Sequence, residues 1–311
     1  MNVSDFVPVA VTDRSGFPES IHHGAVVALD FDGTVAWSAG DPDIVIYPRS
    51  ALKPLQAASM VGAGLALDDR LLAVVCASHD GRPEHVAAVA EILAGAGLGP
   101  DDLDNTPTLP LDLDASIAAV RAGGQAASIT QNCSGKHSGM LATAVINGWP
   151  TAGYTDPDHP VQRRIIDDLR REVGPAEHVG VDGCGAPAPT VPLIALASAV
   201  RRLAVDGHPV HAAMTGHPDM VGGPTRDVTR LMRLVPGLIS KDGAEGVHVA
   251  ALPDGRAVAV KIADGAGRAR APVTVAALRS LGVDVAADAL VEPVLGHGRP
   301  VGRVRALVGS P

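Results

Sequence analysis

The four lysines of this chain are candidates for chemistry, because arginine supplies almost all of its other positive charge. The 311 residues include 25 Lys and Arg together, of which only four are Lys. Arginine stays charged, whereas a buried lysine can lose its proton and act as a base or a metal ligand. The positions that keep lysine are therefore candidates for roles that arginine cannot fill. They are Lys53, Lys136, Lys241 and Lys261.

The stretch RSALK places Ser50 three residues before Lys53. On a helix this spacing puts both side chains on one face, where a neutral lysine can take the serine proton. The positive end of the helix dipole would stabilise developing negative charge, as in the serine-lysine acyl-transfer enzymes. The same residues also suit an N-cap serine beside a solvated lysine, and the motif alone favours that structural role.

Ser78, His79 and Asp80 follow the apolar run RLLAVVCAS, which we interpret as a buried strand that ends in a turn. Strand ends often carry catalytic residues. Neighbouring side chains on an extended chain point in opposite directions, so His79 and Asp80 do not make a triad by adjacency. An ordinary polar turn fits the sequence as well as a catalytic one.

Two of the three cysteines stand next to other polar groups. Cys133 and Lys136 lie just before a predicted helix, and Asp182 and Cys184 share one side of the chain if it is extended. Two thiolates suit zinc, although Cys133 and Cys184 are too far apart in sequence for a zinc finger. The alternative is two buried free thiols that pack as small apolar groups, the role that we assign to Cys76.

Composition restricts the partners of the protein. The net charge is −9 and no cluster of basic residues forms a stripe, which disfavours nucleic acid and anionic membrane surfaces and favours a small molecule. The sequence has no apolar stretch suited to crossing a bilayer, and its start does not resemble a secretory signal. Three cysteines do not make a disulfide framework, so we expect a reducing cytoplasm.

Predicted helices and strands mix irregularly, which favours a single α+β domain over residues 1–311 with mixed or antiparallel sheets and flanking helices. A hairpin is predicted around the DFDG turn, and two strands around the Pro-Asp-Gly turn of residues 246–265. The predicted helices cover residues 50–65, 82–98, 115–124, 139–149, 158–174, 194–205 and 272–282.

Four motifs in order resemble the rhizobial-type, thermolabile L-asparaginases, the asparaginase II family. They are YPRSALKPLQ, ASHDG, NCSGKHSGML and GVDGCGAPAP, and the resemblance extends from about residue 8 to 305. It implies a fold similar to that of serine β-lactamases and one class of glutaminases, and a homodimer. His23 stands where the family more often has arginine.

The resemblance also implies hydrolysis of L-asparagine to L-aspartate and ammonia, with Ser50 as nucleophile and neutral Lys53 as its base. Ser78 and Lys261 form a second serine-lysine tandem that relays protons. The resemblance further implies that zinc is bound by Cys133, Lys136 and Cys184 with water, and that Arg49, His137 and Asp182 lie near the substrate. Because the lysines must be neutral for part of the cycle, activity is expected to rise towards alkaline pH.

Two other classes of function stay open. One is a related serine-lysine amidase, such as a glutaminase or a lactam-opening enzyme, which a panel of substrates would distinguish. The other is a non-catalytic protein that binds zinc or an amino acid, which an assay for ammonia release would distinguish.

Overall fold

The chain forms two compact units, each assembled from separate segments of the sequence. The computed structural model describes residues 2–286 and 288–309. The sheet unit comprises Met1–Leu52, Thr190–Gly207 and Arg230–Pro311, and the helical unit comprises Lys53–Pro189 and His208–Thr229. The single domain that the sequence predicted over residues 1–311 stays a prediction.

Most strands belong to one antiparallel sheet in the sheet unit. Among the described residues the strands are β1 (Val7–Arg14), β2 (Phe17–Leu29), β3 (Val35–Ala39), β4 (Val45–Ile46), β5 (Val179–Val181), β6 (Pro187–Pro189), β7 (Val191–Pro192), β8 (Ile239–Gly243), β9 (Val247–Ala251), β10 (Ala257–Ile262), β11 (Pro293–Gly296) and β12 (Arg299–Ala306). The strand order is β11-β12-β1-β2-β10-β9-β8, with β3 also paired to β2. Short two-stranded ladders join β4 to β7 and β5 to β6.

Helices account for most of the helical unit. Those in this unit are α1 (Lys53–Gly62), α2 (Asp69–Val75), α3 (Pro83–Gly95), α4 (Leu113–Arg121), α5 (Ser134–Ile146), α6 (Pro160–Val173), α8 (Pro209–Gly216) and α9 (Pro218–Gly222). The sheet unit contains α7 (Leu193–Val205) and α11 (Gly267–Ser280), and α10 (Asp227–Leu234) begins in the last segment of the helical unit and ends in the sheet unit. None of the helices in residues 2–286 and 288–309 is long and apolar enough to span a membrane.

The core of the sheet unit lies between the sheet and α11. Val26, Val258 and Val260 alternate towards this face and pack with Val273 and Leu278 of the helix. The strands β9 and β10 also contact α7. Because helices cover the sheet, β10 is buried along its whole length, and its sequence AVAVKI is apolar at every position except Lys261.

The predicted α+β class, the hairpin at DFDG and the strands around the Pro-Asp-Gly turn are confirmed by the sheet. The strand predicted at RLLAVVCAS is wrong, because these residues form α2 with Asp68 as its N-cap. Periodicity cannot separate a short buried strand from a helix that is buried on every side. The Gly- and Pro-rich tail also contains β11 and β12, which the sequence analysis missed.

Two glycines bring α2 and α5 into close contact. A Cβ atom at Gly135 would overlap the Val74 carbonyl oxygen, and one at Gly139 would lie 2.8 Å from a Val75 methyl. The spacing of four residues puts both glycines on one face of α5, so the helix backbones approach each other. This packing brings the chain just after α2, which contains Ser78, next to the N-terminus of α5.

Candidate active site

In the sheet unit, Arg49 and Ser50 lie on a strained turn. Residues Arg49–Leu52 form a 3-10 helix, and Arg49 has a φ of 52°. A side chain in this left-handed region costs conformational energy that other contacts must offset, and such strain often occurs at functional sites. The backbone of the turn lies against the end of β8, where a Cβ atom at Gly243 would overlap the Pro48 carbonyl oxygen.

The turn and two lysines share one face of the sheet. Lys261 and Gly243 both pair with Val247, so their side-chain positions lie on the same side of the ladder. Lys241 precedes Gly243 by two residues and therefore shares that side. Since the Cβ direction of Gly243 meets the turn, Lys241 and Lys261 both project from the face that contains Arg49 and Ser50.

The two lysines have different surroundings. The Lys261 ammonium donates to the carbonyl oxygens of Glu245, at 2.5 Å, and of Ile262, at 2.9 Å, and burial lowers its pKa. Lys241 is completely buried and donates to the Asp242 carboxylate at 2.7 Å, which also faces Arg270. Sequence reasoning marked Lys241 only as a rare lysine and gave it no role.

In the helical unit, the Lys53 side chain is buried, with 1% of its surface exposed, and it contacts Ser78. Its Nζ lies 2.5 Å from the Ala77 carbonyl oxygen, 3.4 Å from the Asn132 carbonyl oxygen and 3.3 Å from Ser78 Oγ. A neutral amine has two N–H groups and one lone pair. If the two carbonyls accept the two N–H groups, the lone pair is left for the Ser78 hydroxyl proton, which is the arrangement of a general base.

Hydrogen bonds fix the backbone around Ser78 on both sides. The Ser78 N–H donates to the Val221 carbonyl, and the His79 N–H donates to the Asn132 carbonyl. The His79 ring lies 2.9 Å from Ser134 Oγ. Burial, together with the charges of His85 and Lys53, lowers the pKa of His79 well below its ordinary value, so the ring is neutral. These bonds hold Ser78 in place, and His79 has a structural role here.

Asp80 and its partners form a separate, partly buried ion cluster. Its carboxylate lies 3.0 Å from both His85 Nδ1 and Arg82 Nε, and Arg82 also reaches Asp112. Burial opposes the charge of Asp80, but the His85 and Arg82 hydrogen bonds lower its pKa overall. Asp80 is therefore ionised, and it anchors the turn after Ser78 to the start of α3.

Cys133, Lys136 and Cys184 converge from two elements. Cys133 is the N-cap residue of α5 and Lys136 lies in its first turn, while Cys184 lies in the turn that joins β5 to β6. Lys136 Nζ lies 3.3 Å from Cys184 Sγ, and all three side chains are buried. Asp182 and Cys184 do not lie on an extended stretch, because the Asp182 N–H donates to the Ala186 carbonyl and the Asp182 carbonyl accepts from the Gly185 N–H in a tight turn.

The pKa values of the two thiols shift in opposite directions. The hydrogen bond from Cys184 lowers the pKa of Cys133 well below its usual range, and the Lys53 and Lys136 charges act in the same direction. That hydrogen bond and burial raise the pKa of Cys184. Burial opposes the charge of Lys136, but the two sulfurs raise its pKa overall. These pKa shifts favour a proton on Lys136 and on Cys184 over a proton on Cys133.

The donor set of this cluster fits one zinc ion. Ligands of a tetrahedral zinc with Zn–S of about 2.3 Å and Zn–N of about 2.0 Å stand roughly 3.5 Å apart, close to the observed N–S distance. Two sulfurs and one amine leave a fourth position open, as at catalytic-type sites. Nowhere in the described chain do three or more His, Cys, Asp or Glu side chains form a metal-binding group, so zinc here would need the lysine.

His137 lies beside this cluster, in the first turn of α5. It is completely buried, and its Nδ1 lies 2.8 Å from the Tyr154 hydroxyl. Burial, and the charges of Lys136 and Lys53, lower its pKa well below the usual value, so the ring is neutral. Its Nε2 is buried and makes no hydrogen bond to the described residues.

A family model described as L-asparaginase II matches residues 10–306, nearly the whole chain. The chain belongs to the L-asparaginase II family. This membership makes the protein an amidohydrolase that acts on a small-molecule substrate. No protein of curated function matches the sequence.

Among solved structures, similar chains include a β-lactamase from Mycobacterium bovis and a penicillin-binding protein homologue, described as octameric, from Pyrococcus abyssi. The first is 14% identical, with a TM-score of 0.39 and coverage of 83% of this chain and 94% of that chain. The second is 14% identical, with a TM-score of 0.38 and coverage of 84% and 74%. The protein Mglu in its native form is 16% identical, with a TM-score of 0.35 and coverage of 82% and 63%.

The residues that the family resemblance singled out are distributed over both units of this L-asparaginase II family member. The sheet unit contains Arg49, Ser50 and Lys261, and the helical unit contains the others, namely Lys53, Ser78, Cys133, Lys136, His137, Asp182 and Cys184. Within the helical unit the structure brings Lys53 to Ser78 and Lys136 to Cys184. Sequence reasoning missed Asn132 and Tyr154, whose contacts join residues that are distant in sequence.

Proposed function

We propose that the protein hydrolyses L-asparagine to L-aspartate and ammonia. Membership of the L-asparaginase II family supports the amide substrate. The observation that carries the catalytic part is Lys53, a buried amine 3.3 Å from the Ser78 hydroxyl and flanked by two backbone carbonyls. A buried lysine with this set of neighbours is arranged to exchange a proton with serine.

In the proposed reaction, the Ser50 hydroxyl attacks the side-chain amide carbon of asparagine and its proton passes to neutral Lys53. The tetrahedral intermediate collapses when the amide nitrogen takes a proton and leaves as ammonia, and a β-aspartyl ester remains on Ser50. Water then hydrolyses the ester and restores the hydroxyl. Ser78, hydrogen-bonded to Lys53, relays protons during these steps together with Lys261.

A second assignment makes Ser78 the nucleophile and Lys53 its base. The specific observation in its favour is the direct hydrogen-bonding distance between Lys53 Nζ and Ser78 Oγ. The position of Ser50 on a strained turn favours the first assignment, since nucleophiles are often presented on strained turns. Single alanine variants of the two serines separate the assignments.

A second lysine is also a candidate for the role of proton relay. Lys261 is the residue that the family motif suggests, and burial lowers its pKa, which favours the neutral base. Lys241 projects from the same face of the sheet and is completely buried. Methionine variants of each lysine, assayed with asparagine, would show which of the two amines the reaction needs.

The substrate is proposed to bind through Arg49, Asp182 and His137. A guanidinium suits the α-carboxylate because it can donate two parallel hydrogen bonds. The half-buried Asp182 carboxylate suits the α-ammonium group. His137 contributes a neutral ring that is buried next to Lys136.

Zinc is proposed to bind Cys133, Lys136 and Cys184, with water in the open position. Bound zinc would supply a positive charge that orients substrate and orders the site. The protein itself supplies the thiolate at Cys133, and Lys136 must release its proton before its lone pair can bind the metal. We also propose that the protein is a homodimer, which sedimentation of the purified protein would test.

The test of the function is a panel of asparagine, glutamine and a β-lactam, in which ammonia release reports hydrolysis of the two side-chain amides and loss of the lactam's ultraviolet absorbance reports ring opening. Hydrolysis of asparagine with a kcat/KM well above that for glutamine supports the proposal. Preference for glutamine or the lactam would assign the protein to a related serine-lysine amidase. Binding of zinc or of amino acids without turnover of any amide would make it a non-catalytic member of the family.

A further inference from the structure

The hydroxyl of Tyr154 joins two buried segments of the helical unit. Tyr154 is 1% exposed. The backbone N–H of Asp104 donates to the hydroxyl oxygen at 2.9 Å, and His137 Nδ1 lies 2.8 Å from the same oxygen. The rings of His137 and Tyr154 meet edge to face with centroids 5.5 Å apart, so the two side chains are fixed relative to each other.

The donors and acceptors at this hydroxyl determine where its proton lies. A backbone N–H can only donate, so the Tyr154 oxygen accepts from Asp104 and still has its own proton to give. Among the hydrogen bonds of the described residues, the remaining partner of the hydroxyl is His137 Nδ1. A buried phenol donates its proton where an acceptor is within reach. Nδ1 is therefore the acceptor and has no proton, so the N–H group of the ring is at Nε2.

That Nε2–H group has no acceptor within the described part of the chain. Nε2 is buried, and the whole His137 side chain is 0% exposed. A buried donor without a partner is costly and rare in folded proteins, so Nε2 is a position at which an acceptor from outside the chain would be stabilised.

We propose that Tyr154 is a positioning residue that holds His137 in its Nε2–H tautomer, so that His137 donates a hydrogen bond to an oxygen atom of the bound amino-acid substrate. The inference rests on the proposed function, because the substrate supplies the acceptor. The opposite tautomer would direct a lone pair at the same atom. The tautomer therefore decides whether this position attracts a carboxylate or carbonyl oxygen or repels it.

A double-mutant cycle on the full-length protein tests this role. Tyr154→Phe removes the hydroxyl and keeps the ring. His137→Gln keeps an amide N–H near the Nε2 position but has nothing at Nδ1. We expect Tyr154→Phe to lower kcat/KM about tenfold in the wild-type background, mainly through KM, as for the loss of one hydrogen bond. In the His137→Gln background, Tyr154→Phe should cause no further loss.

Equal losses in both backgrounds would overturn the proposal, since they would show that the hydroxyl acts only through the stability of the fold. An unchanged kcat/KM in Tyr154→Phe would overturn it as well. If the Phe variant does not fold, His137→Asn provides the second measurement. Its amide reaches the Nδ1 position and not Nε2, so we expect it to lose more activity than His137→Gln, and the reverse order would contradict the proposal.

The tautomer can be read without any substrate. In protein labelled with ¹⁵N at histidine, we expect the His137 signals of a ring protonated at Nε2 and unprotonated at Nδ1, and a mixture of tautomers in Tyr154→Phe. A wild-type ring protonated at Nδ1 would overturn the inference. Because this measurement needs no turnover, it separates failure of the tautomer assignment from failure of the proposed asparaginase activity.

Discussion

Among single residues, Lys53 has the surroundings that most restrict its chemistry. The Ala77 and Asn132 carbonyls and the Ser78 hydroxyl occupy its hydrogen-bonding directions, and the side chain is buried. The serine-lysine spacing in the sequence suggested a base, but the contact with Ser78 joins residues 25 positions apart and could not be derived from spacing.

We predict that Lys53→Arg inactivates the protein as completely as Lys53→Met. A guanidinium keeps the charge but cannot accept the serine proton near neutral pH. The measurement is kcat/KM for asparagine in protein shown by circular dichroism to be folded. A Lys53→Arg variant with more than about a tenth of wild-type activity, a loss equivalent to under ~1.4 kcal/mol of barrier, would show that the position supplies charge and not basicity.

The two serines are predicted to differ in their alanine variants. Ser50→Ala should lose at least about a thousandfold in kcat, since removal of a nucleophile leaves only binding and electrostatic contributions. Ser78→Ala should lose less, because a water molecule can replace a relay hydroxyl. The measurement is single-turnover release of ammonia from both variants at matched stability. The opposite order would transfer the role of nucleophile to Ser78.

At the scale of secondary-structure elements, the end of β8 sets the position of the Arg49–Leu52 turn. Gly243 has no side chain, and the Pro48 carbonyl occupies the space where a Cβ atom would be. The strained φ of Arg49 persists because contacts of this kind hold the turn in place. The geometry of Arg49 and Ser50 therefore depends on a residue far from them in sequence.

Gly243→Ala is predicted to reduce activity more than it reduces stability. The added methyl must displace the turn, at a cost in stability of about 1–3 kcal/mol, and a shift of the reacting groups by a fraction of an ångström lowers kcat/KM by a factor of ten or more. Gly267→Ala, where a Cβ atom meets nothing within 4 Å, is the matched control in the same unit. Equal activity in the two variants would show that the turn tolerates the displacement.

The zinc proposal concerns two elements, because its ligands come from α5 and from the turn between β5 and β6. Purified protein is predicted to contain about one zinc per chain, the number that three ligands and one water can hold. Cys184→Ser should lose the metal, while Cys76→Ala, a change at a core cysteine that is 0% exposed, should keep it. Metal analysis of protein prepared without chelator gives the result. If wild-type protein contained no zinc, Cys133 and Cys184 would be interpreted as buried free thiols.

The sequence predicted elements where local chemistry determines them. Pro83 at the start of α3 and Asn147 at the end of α5 mark helix boundaries that local signals identify. It failed at α2, whose helical state depends on burial from every side, and at β12, whose Gly- and Pro-rich sequence is held as a strand by pairing with β1. The same holds for the candidate site. Family motifs in the sequence identified its residues, but the contacts of Asn132 and Tyr154 form only in the folded chain and could not be predicted.

For the whole molecule, the neutral buried histidines determine how stability depends on pH. Burial lowers the pKa of His79 and His137 well below the usual value of about 6.5. The folded protein therefore binds fewer protons than the unfolded chain at mildly acidic pH. Above that usual pKa both states are neutral at these histidines and the free energy of unfolding is not reduced by them. As the pH falls below it, only the unfolded chain gains the protons, so the free energy of unfolding decreases. The lowered pKa of Asp80 acts in the same direction at more acidic pH.

The temperature at the midpoint of thermal unfolding is accordingly predicted to decrease as the pH is lowered from about 7.5 to 5, the range over which an ordinary histidine gains its proton. His137→Gln, which does not titrate, should show a smaller decrease over the same range. Calorimetry at constant ionic strength measures both. A midpoint that does not change with pH in the wild-type protein would mean that these histidines titrate in the folded state as they do in the unfolded chain.

The register of β1 has a consequence for the order in which a newly made chain can fold. β1 pairs with β2 on one edge and with β12 on the other, where Ala10 lies opposite Ala306. During synthesis the whole Lys53–Pro189 segment of the helical unit leaves the ribosome before β12 has been translated. Until then β1 has an open edge that can pair with other chains, since unpaired strand edges promote aggregation. The last strand therefore protects the first, and loss of the C-terminal segment would expose the N-terminal hairpin of every copy that the cell makes.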